Sequence, residues 1–327
     1  MALGIRDTTP DLETVVEGLQ RSGYKFSRFE WGCEDACDPV DVEWNYKDMV
    51  HVPFVHSHMQ REFTFIGDHS YTTLDLQRVF GIEVPQSTSF YTTADGALMA
   101  HTTLLVYVIL IEVGFESVGE LKTRTTTRYA VGSKVPGAGL LHPIIRSALH
   151  RNWQRFTADD RPVRARRGRL RAKGFEFDHE QPVIIRDTLS IASNQVIPST
   201  DVPSGFSHRV SVAENKGRVV HLGDDDHFGL QLDFGEDRIR IFPRLCPHMG
   251  ASLDRKQCGD ATIACPWHGR QFKALCAIDP DGGRQEFKGP LHTCVFDGET
   301  IEVSLADDAA ANLADGQAPG AWVRAWR

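Results

Sequence analysis

Two short segments, CPHMGASL from Cys246 and CPWHGRQF from Cys265, limit what this chain can fold into more than any other stretch. The first pairs Cys246 with His248 and the second pairs Cys265 with His268, and sixteen residues, 249–264, lie between the pairs. Two thiolates and two imidazoles make a four-ligand metal site, and ligand type alone admits either zinc or an iron–sulfur cluster. Pro247 and Pro266 stiffen the two loops. Gly250 and Gly269, which follow the pairs, let the backbone turn tightly enough to bring N–H groups close to cluster sulfurs. Cys258, Cys276 and Cys294 have no place in this ligand set and read as buried thiols. Cys33 and Cys37, in GCEDACDP, share a C-x3-C spacing without a second pair and stay unassigned.

At 327 residues the chain is long for one domain, and length favours two. A hydrophobic content of 41% with 24% charged residues is ordinary for a soluble globular protein. The formal net charge of −8 argues against nucleic acid as a partner. The opening MALGIRDTTPDLETVVEG carries acidic residues and no apolar h-region, so no signal peptide is expected. The longest apolar run, LLVYVILIEVGF, is interrupted by Glu112 and is too short to span a bilayer. Seven cysteines without a secretion signal point to a reducing compartment, and the expected location is cytoplasmic.

Residues 1–195 read as a mixed domain of helices and strands. YKFSRFEW begins the strands; REFTFIG and the Thr-, Tyr-, Val- and Ile-rich segments up to about residue 131 continue them, with a hairpin turn at ADG, 94–96. The segment EWNYKDMVHVPFVH, residues 43–56, has the length of a helix, with Pro53 as a kink or break. LLHPIIRSALHRNWQRF predicts a helix over about 140–156, and RPVRARRGRLRAK a second one ending at Gly174. Residues 196–206 are expected to be a linker, 207–304 a small all-β domain without long helical patterns, and 305–327 an Ala-rich tail.

The C-x-H and C-x-x-H loops closely resemble those of the Rieske [2Fe-2S] domain, over roughly residues 206–304. That resemblance implies that Cys246 and Cys265 hold one iron and His248 and His268 the other. Respiratory Rieske proteins carry an extra cysteine in each loop; here Ala251 and Trp267 stand in those places, which favours the low-potential kind found in oxygenases and their ferredoxins. A Rieske cluster passes single electrons, so something else in the chain has to use them. Asp48-x-x-His51-x4-His56, preceded by Glu43 and Asn45, resembles the mononuclear iron motif of Rieske non-heme iron oxygenases. On its own this motif is weak, since paired histidines in an apolar helix are more often core residues; the Rieske loops on the same chain reverse those odds. The resemblance implies Fe(II) on His51 and His56, with a later carboxylate completing a facial triad.

In that family the third ligand lies late in the catalytic domain, in or beside a long helix. RFTADDRPVRARR fits the place, with Asp160 first and Asp159 as fallback; Asp160 could instead cap a helix beginning near Pro162. Asp48 is implied to link the iron site to a cluster histidine of the neighbouring subunit, which predicts a head-to-tail homotrimer. His58 falls outside the family spacing. The implied fold class is α+β: a helix-grip catalytic domain, a curved antiparallel sheet gripping a long helix around an apolar cavity, plus a small all-β Rieske domain. The order is reversed relative to the familiar oxygenases, in which the Rieske domain comes first.

These expectations describe an oxygenase component that uses O2 and external electrons to hydroxylate, desaturate or demethylate an apolar organic substrate. No G-x-G-x-x-G and no plant-type ferredoxin cysteine run is present, so a separate ferredoxin or flavin reductase is implied. The rival is a Rieske electron carrier fused to a ligand-binding helix-grip domain without catalytic iron. Alternate residues among Phe63, Phe65, Phe90, Tyr91, Met99, Leu105, Tyr107 and Ile109 are expected to line the cavity. The run RPVRARRGRLRAK, with seven Arg or Lys in thirteen residues, reads first as a solvated helix face and second as a surface that steers an acidic electron donor.

Overall fold

Seven strands between Lys25 and Ser133 form one antiparallel sheet, in which the first strand in the chain pairs with the last and the others follow in reverse sequence order. The computed structural model that defines it describes residues 9–48, 51–56, 61–66, 70–79, 82–93, 95–177, 196–197, 203, 205–254 and 262–314. A first unit comprises residues 1–169 with 180–186, and a second comprises 170–179 with 187–327.

In the first unit, helix α1 (Leu12–Arg21) is opened by Asp11, whose carboxylate accepts from the Thr14 N–H at 2.8 Å. Strand β1 (Lys25–Asp35) leads to α2 (Pro39–Lys47) and the single turn α3 (Val52–Val55). The meander β2 (Arg61–Ile66), β3 (Ser70–Val79), β4 (Ile82–Thr92), β5 (Leu98–Leu104), β6 (Tyr107–Gly119) and β7 (Lys122–Ser133) follows. Gly96, at φ 88°, turns β4 into β5 within the expected ADG hairpin. Alternation along the strands divides the sheet's faces. Ala100 and Thr102 of β5 and Ile109 and Ile111 of β6 face a cavity, whereas Met99 and Leu110 pack against Leu12 and Val16 of α1.

A 3₁₀ turn (Ala138–Leu141) then feeds one continuous helix, α4 (His142–Ala172), of 31 residues. Two helices were expected here, one over about 140–156 and a second beginning near Pro162. The proline is accommodated inside α4, at the expense of one backbone hydrogen bond. A stripe at spacings of three and four, Ile145, Leu149, Trp153, Phe156, Asp160 and Arg164, explains why one helix forms: it lies along the side facing the sheet and the cavity. At the far end Gly174, at φ 80°, closes a Schellman motif: its N–H bonds to Arg171 O and the Phe175 N–H bonds to Leu170 O, while Leu170 and Phe175 meet in one apolar cluster.

The basic run is not a solvated face. Arg164, Arg166 and Arg167 are buried, and only Arg161, Arg169 and Lys173 of its cations are exposed. Arg167 Nε donates to Asp41 Oδ1 at 2.8 Å and its guanidinium lies 3.9 Å from the Trp44 ring centroid. Arg164 and Arg167 hold α4 to α2 through Asn45, Asp41 and the faces of Tyr46 and Trp44, which is what makes burying them tolerable.

The second unit is built of short antiparallel sheets. Strand β8 (Glu176–Phe177) pairs with β9 (Val196–Ile197), the latter within the expected linker, of which 198–202 and 204 lie outside the described residues. Strands β10 (Ser207–Ser211), β11 (Val219–Leu222), β12 (Leu230–Phe234) and β13 (Ile239–Pro243) precede the first cysteine loop, and a four-residue helix α5 (Val212–Asn215) interrupts them. Strands β14 (Thr262–Ala264) and β15 (Gln271–Lys273) flank the second loop. Strands β16 (Cys276–Ile278), β17 (Gln285–Lys288), β18 (His292–Phe296) and β19 (Thr300–Leu305), then α6 (Ala309–Ala314), complete the unit. The sheets β10-β19-β18-β17 and β11-β12-β13-β16 share one apolar core. Cys276 and Cys294 are buried there and hydrogen-bonded to each other; Cys258 lies outside the described residues.

Gly168 sets how closely α4 approaches the end of β1. A Cβ at this position would lie 2.1 Å from Ala36 O and 3.1 Å from Cys37 Cα, so backbone would have to move. Gly168→Ala is therefore expected to lower the stability of the first unit by roughly 1–3 kcal/mol, an overpacking cost that outweighs the helix propensity gained. Thermal unfolding followed by circular dichroism checks this, and a melting temperature at or above that of the parent would refute it.

Candidate metal centres

In the first unit His51 is the N-cap and His56 the C-cap of α3, a single turn begun by Val52 and Pro53. The expected helix over 43–56 is thus two pieces, and Pro53 helps to open the second one rather than kinking a single helix. Asp160 projects from the middle of α4 and caps nothing, contrary to the helix start expected near Pro162. Its Oδ1 lies 3.3 Å from His51 Nε2 and 3.1 Å from His56 Nε2, and one donor atom from each residue falls within 4.8 Å of the others. All three side chains are buried.

Both ring nitrogens of His51 lack a hydrogen-bond partner among the described residues, although Asp160 Oδ1 is close to one of them. An orphaned buried imidazole facing a carboxylate and a second imidazole fits a cation held between them. Asp159, the alternative third ligand, points elsewhere: its Oδ2 lies 3.2 Å from His56 Nδ1, the nitrogen away from Asp160. A carboxylate there fixes the ring's tautomer and orientation. Asp48 is the C-cap of α2, fully buried, with Oδ2 3.8 Å from His51 Nδ1. The proximity comes from the break between α2 and α3, not from one turn of a shared helix. His58 lies outside the described residues.

Asn45, which precedes the histidine motif, and Arg164, from the basic run, organise the third carboxylate. Asn45 Nδ2 donates to Asp160 Oδ1 at 3.3 Å, and Asn45 Oδ1 accepts from Arg164 Nε at 2.7 Å. Arg164 Nη2 donates to Asp160 Oδ2 at 3.3 Å, and Nη1 donates to Asp35 Oδ2 at 3.1 Å. Burial works to protonate Asp160, but His51, His56 and Arg164 outweigh it and hold the carboxyl far below the usual carboxylate range. Asp160 is therefore an anion, with Oδ2 engaged by Arg164 and Oδ1 turned to the histidines. The i,i+4 spacing of Asp160 and Arg164 was the one available signal, and the solvated-face reading of the basic run hid it.

Above the three residues lies a cavity of about 330 Å³ between the sheet and α4. Phe90 and Ile109 line it as expected. Tyr91 and Met99 instead face α1, Tyr107 packs around Ala138, and Leu105 is exposed at a turn. The side chains of Phe63 and Phe65 lie outside those described. The lining is mostly aliphatic and aromatic, with a short polar strip formed by Asp75, Gln86, Thr88 and Thr102, which are register or same-face neighbours on β3, β4 and β5.

In the second unit the two cysteine loops repeat one geometry. The N–H of Gly250 bonds to Cys246 O at 2.9 Å, and that of Gly269 to Cys265 O at 2.9 Å. The N–H of Cys246 bonds to Ala251 O and that of Cys265 to Arg270 O. Both glycines sit at positive φ, 81° and 65°, where any other residue would be strained. All four side chains, Cys246, His248, Cys265 and His268, are buried, and the two imidazole centroids lie 4.9 Å apart. The Cys265 thiol is held well below the range of a free thiol, first by a hydrogen bond from Cys246 and then, against burial, by His268. Burial and the same hydrogen bond push Cys246 up. Two soft donors facing two imidazoles, with N–H groups of tight turns behind them, suit a [2Fe-2S] cluster. Arg244 anchors the first loop by a bidentate pair to Asp254, at 2.7 and 2.8 Å.

The family model of the Rieske [2Fe-2S] domain matches residues 193–288. The chain carries a Rieske [2Fe-2S] domain on its C-terminal side, and its N-terminal unit has the strand order and long helix of a helix-grip fold. No curated protein matches the chain. Among solved structures, the TTHA0849 protein of Thermus thermophilus is similar at 13% identity and TM-score 0.33, over 41% of this chain and 93% of that one. The ZhuI aromatase/cyclase of Streptomyces sp. R1128 is similar at 10% identity and TM-score 0.39, over 44% and 96%. NdmA of Pseudomonas putida CBB5, a QL mutant with caffeine, is similar at 11% identity and TM-score 0.29, over 44% of this chain and 42% of that one.

Arg164→Met is expected to weaken divalent-metal affinity at His51, His56 and Asp160 by roughly tenfold to a hundredfold, the usual effect of removing a residue that orients a ligand. Titration with Co(II), followed by its d–d absorption, checks this. Arg164→Lys, which keeps the charge, is expected to recover part of the affinity; equal affinity in parent and Met variant would remove Arg164 from the site.

Proposed function

We propose that the protein is the oxygenase component of a Rieske non-heme iron system. The observation that carries this reading is the convergence of His51, His56 and Asp160, buried and with donor atoms within 4.8 Å, beneath an apolar cavity in a chain that also carries a Rieske domain. In this reading Cys246, His248, Cys265 and His268 hold the [2Fe-2S] cluster, and His51, His56 and Asp160 hold Fe(II). The two histidines and one carboxylate leave open positions, so the metal supplies activation of O2 when electrons arrive. The cavity binds an apolar organic molecule and excludes water from it; at about 330 Å³ it suits a small substrate, which is hydroxylated, desaturated or demethylated. Asp159 keeps the His56 ring turned, and Asn45 with Arg164 keeps Asp160 ionised and aimed.

Electrons come from a separate ferredoxin or flavin reductase, and the setting is cytoplasmic. Asp48, buried 3.8 Å from His51 Nδ1, would orient that histidine and connect the iron site to a cluster histidine. The domain boundaries taken are 1–195, a linker at 196–206, and 207–304, with the tail 305–327 beyond. The chain forms a head-to-tail homotrimer in which each cluster serves the iron of the next subunit.

Metal analysis tests the core of this. The holoprotein is expected to hold about three irons and about two acid-labile sulfides per chain, and His51→Ala, His56→Ala or Asp160→Ala to lower iron to about two while the cluster spectrum survives, because the two sites use separate ligands. Two irons in the parent would leave an electron carrier with a ligand-binding helix-grip domain.

Asp48→Asn is expected to keep both metal centres and ligand binding yet to slow reoxidation of the reduced cluster by O2 and substrate at least about tenfold, as removal of a group that couples through a metal-bound histidine does. Mixing a chain that lacks the cluster with one that lacks the mononuclear iron is expected to restore turnover. A fully active monomer would overturn the trimer.

A further inference from the structure

Six of the nine exposed large apolar side chains among the described residues gather at one end of the helix-grip unit: Leu105, Val106, Val135, Leu140, Leu141 and Ile144. Hydrogen bonds tie their segments together. Ser133 Oγ donates to Val106 O at 3.0 Å and accepts from the Val135 N–H at 3.1 Å. The Tyr107 hydroxyl donates to Ala138 O at 2.9 Å, and Tyr107 and Ala138 share one cluster with Leu104, Ile145 and Leu149. The patch is therefore formed by the β5–β6 turn, the end of β7, the 3₁₀ turn and the first turn of α4.

Three features set it apart from scattered surface apolar residues. Leu105 adopts φ 54° at a turn position that favours glycine or asparagine, and it is 69% exposed, so a strained site has been given a large apolar side chain facing solvent. Leu140 is 83% exposed on a turn whose neighbours are equally apolar. Along the segment 134–158 the charge is of one sign. Lys134, Arg146, Arg151 and Arg155 are exposed, and no acidic residue occurs from 134 to 158, in a chain of net charge −8. Lys25, also exposed, is the residue next to Lys134's neighbour Ser133 across the sheet.

We propose that this face docks the protein onto an anionic lipid bilayer. Apolar side chains ringed by cations suit the boundary between anionic headgroups and acyl chains, where area buried and charge attraction add. A two-fold contact between copies would instead set these cations against one another. Ala148 and Asn152, one and two turns beyond Ile144 on α4, line the cavity and are exposed, so the docking face and a wall of the cavity share one helix. The docking itself does not depend on the oxygenase reading, because it needs neither iron nor turnover.

Co-sedimentation of the full-length holoprotein with vesicles tests it. Binding is expected to phosphatidylcholine vesicles containing phosphatidylglycerol, to be much weaker to phosphatidylcholine alone, and to fall as salt is raised. Leu140→Asp combined with Ile144→Asp is expected to lower partitioning at least about tenfold, since binding follows the apolar area buried. Arg146→Glu with Arg151→Glu is expected to remove the preference for the anionic lipid. The cluster spectrum, iron content and melting temperature of these surface variants serve as controls for folding. Failure of the parent to bind the anionic vesicles, or binding unchanged by both pairs of substitutions, would overturn the proposal. So would an oligomer that the Asp substitutions dissociate while the parent ignores vesicles, which would make the face a contact between copies.

Discussion

The buried guanidinium of Arg164 is the interaction on which the first unit's site depends. It gathers the end of β1 through Asp35, the helix α2 through Asn45 and the Tyr46 ring, and α4 through Asp160. A buried arginine is tolerable only when its donors are met by anions and carbonyl groups, and leaving such a charge unpaired costs on the order of 3–5 kcal/mol. The same contacts that stabilise the junction place a carboxylate oxygen between two imidazoles. Stability of the α2–α4 contact and readiness of the candidate metal site are thus one physical arrangement. Arg167, stacked on Trp44 and paired with Asp41, reinforces it a turn later.

The cavity follows from alternation. Strands β5 and β6 give one set of side chains to α1 and the other to the space beneath α4, so a single sheet both anchors itself and walls a chamber. The helix that closes the chamber carries apolar residues toward its start, a carboxylate at its middle and buried arginines beyond. Cavity, candidate ligand and structural lock are therefore ordered along one face of one element. The second unit solves a different problem: its small sheets hold two loops of the same hydrogen-bond pattern, and glycines at positive φ let four buried ligand atoms face one another.

Residue type made the Rieske loops legible, because the thiolates, imidazoles and turn glycines all lie within a few positions of one another. The pair His51 and His56 was legible for the same reason, and Asp160 because a carboxylate beside a long helix was sought. Three elements were misread. The helix was divided in two, with a second start near Pro162, since local rules place a proline at a helix's first turn and do not register the packing stripe that continues past it. The arginine-rich run was taken for a solvated face, since composition cannot register the anions that another segment brings to it. Residues 43–56 were read as one helix, although α2 ends before Asp48 and α3 begins after His51.

By itself the sequence determined which donor atoms the chain possesses and where its turns are compelled, since thiol, imidazole and glycine chemistry belongs to single residues and short loops. Tertiary structure alone decided that Asp160, not Asp159, faces both histidines, that Arg164 and Asn45 hold it, and which alternate strand residues enclose the cavity. Those outcomes depend on side chains more than a hundred positions apart, such as Asn45 and Asp160, meeting at hydrogen-bond distance. Periodicity and composition carry no information about such meetings, because long-range contacts are set by the packing of whole elements.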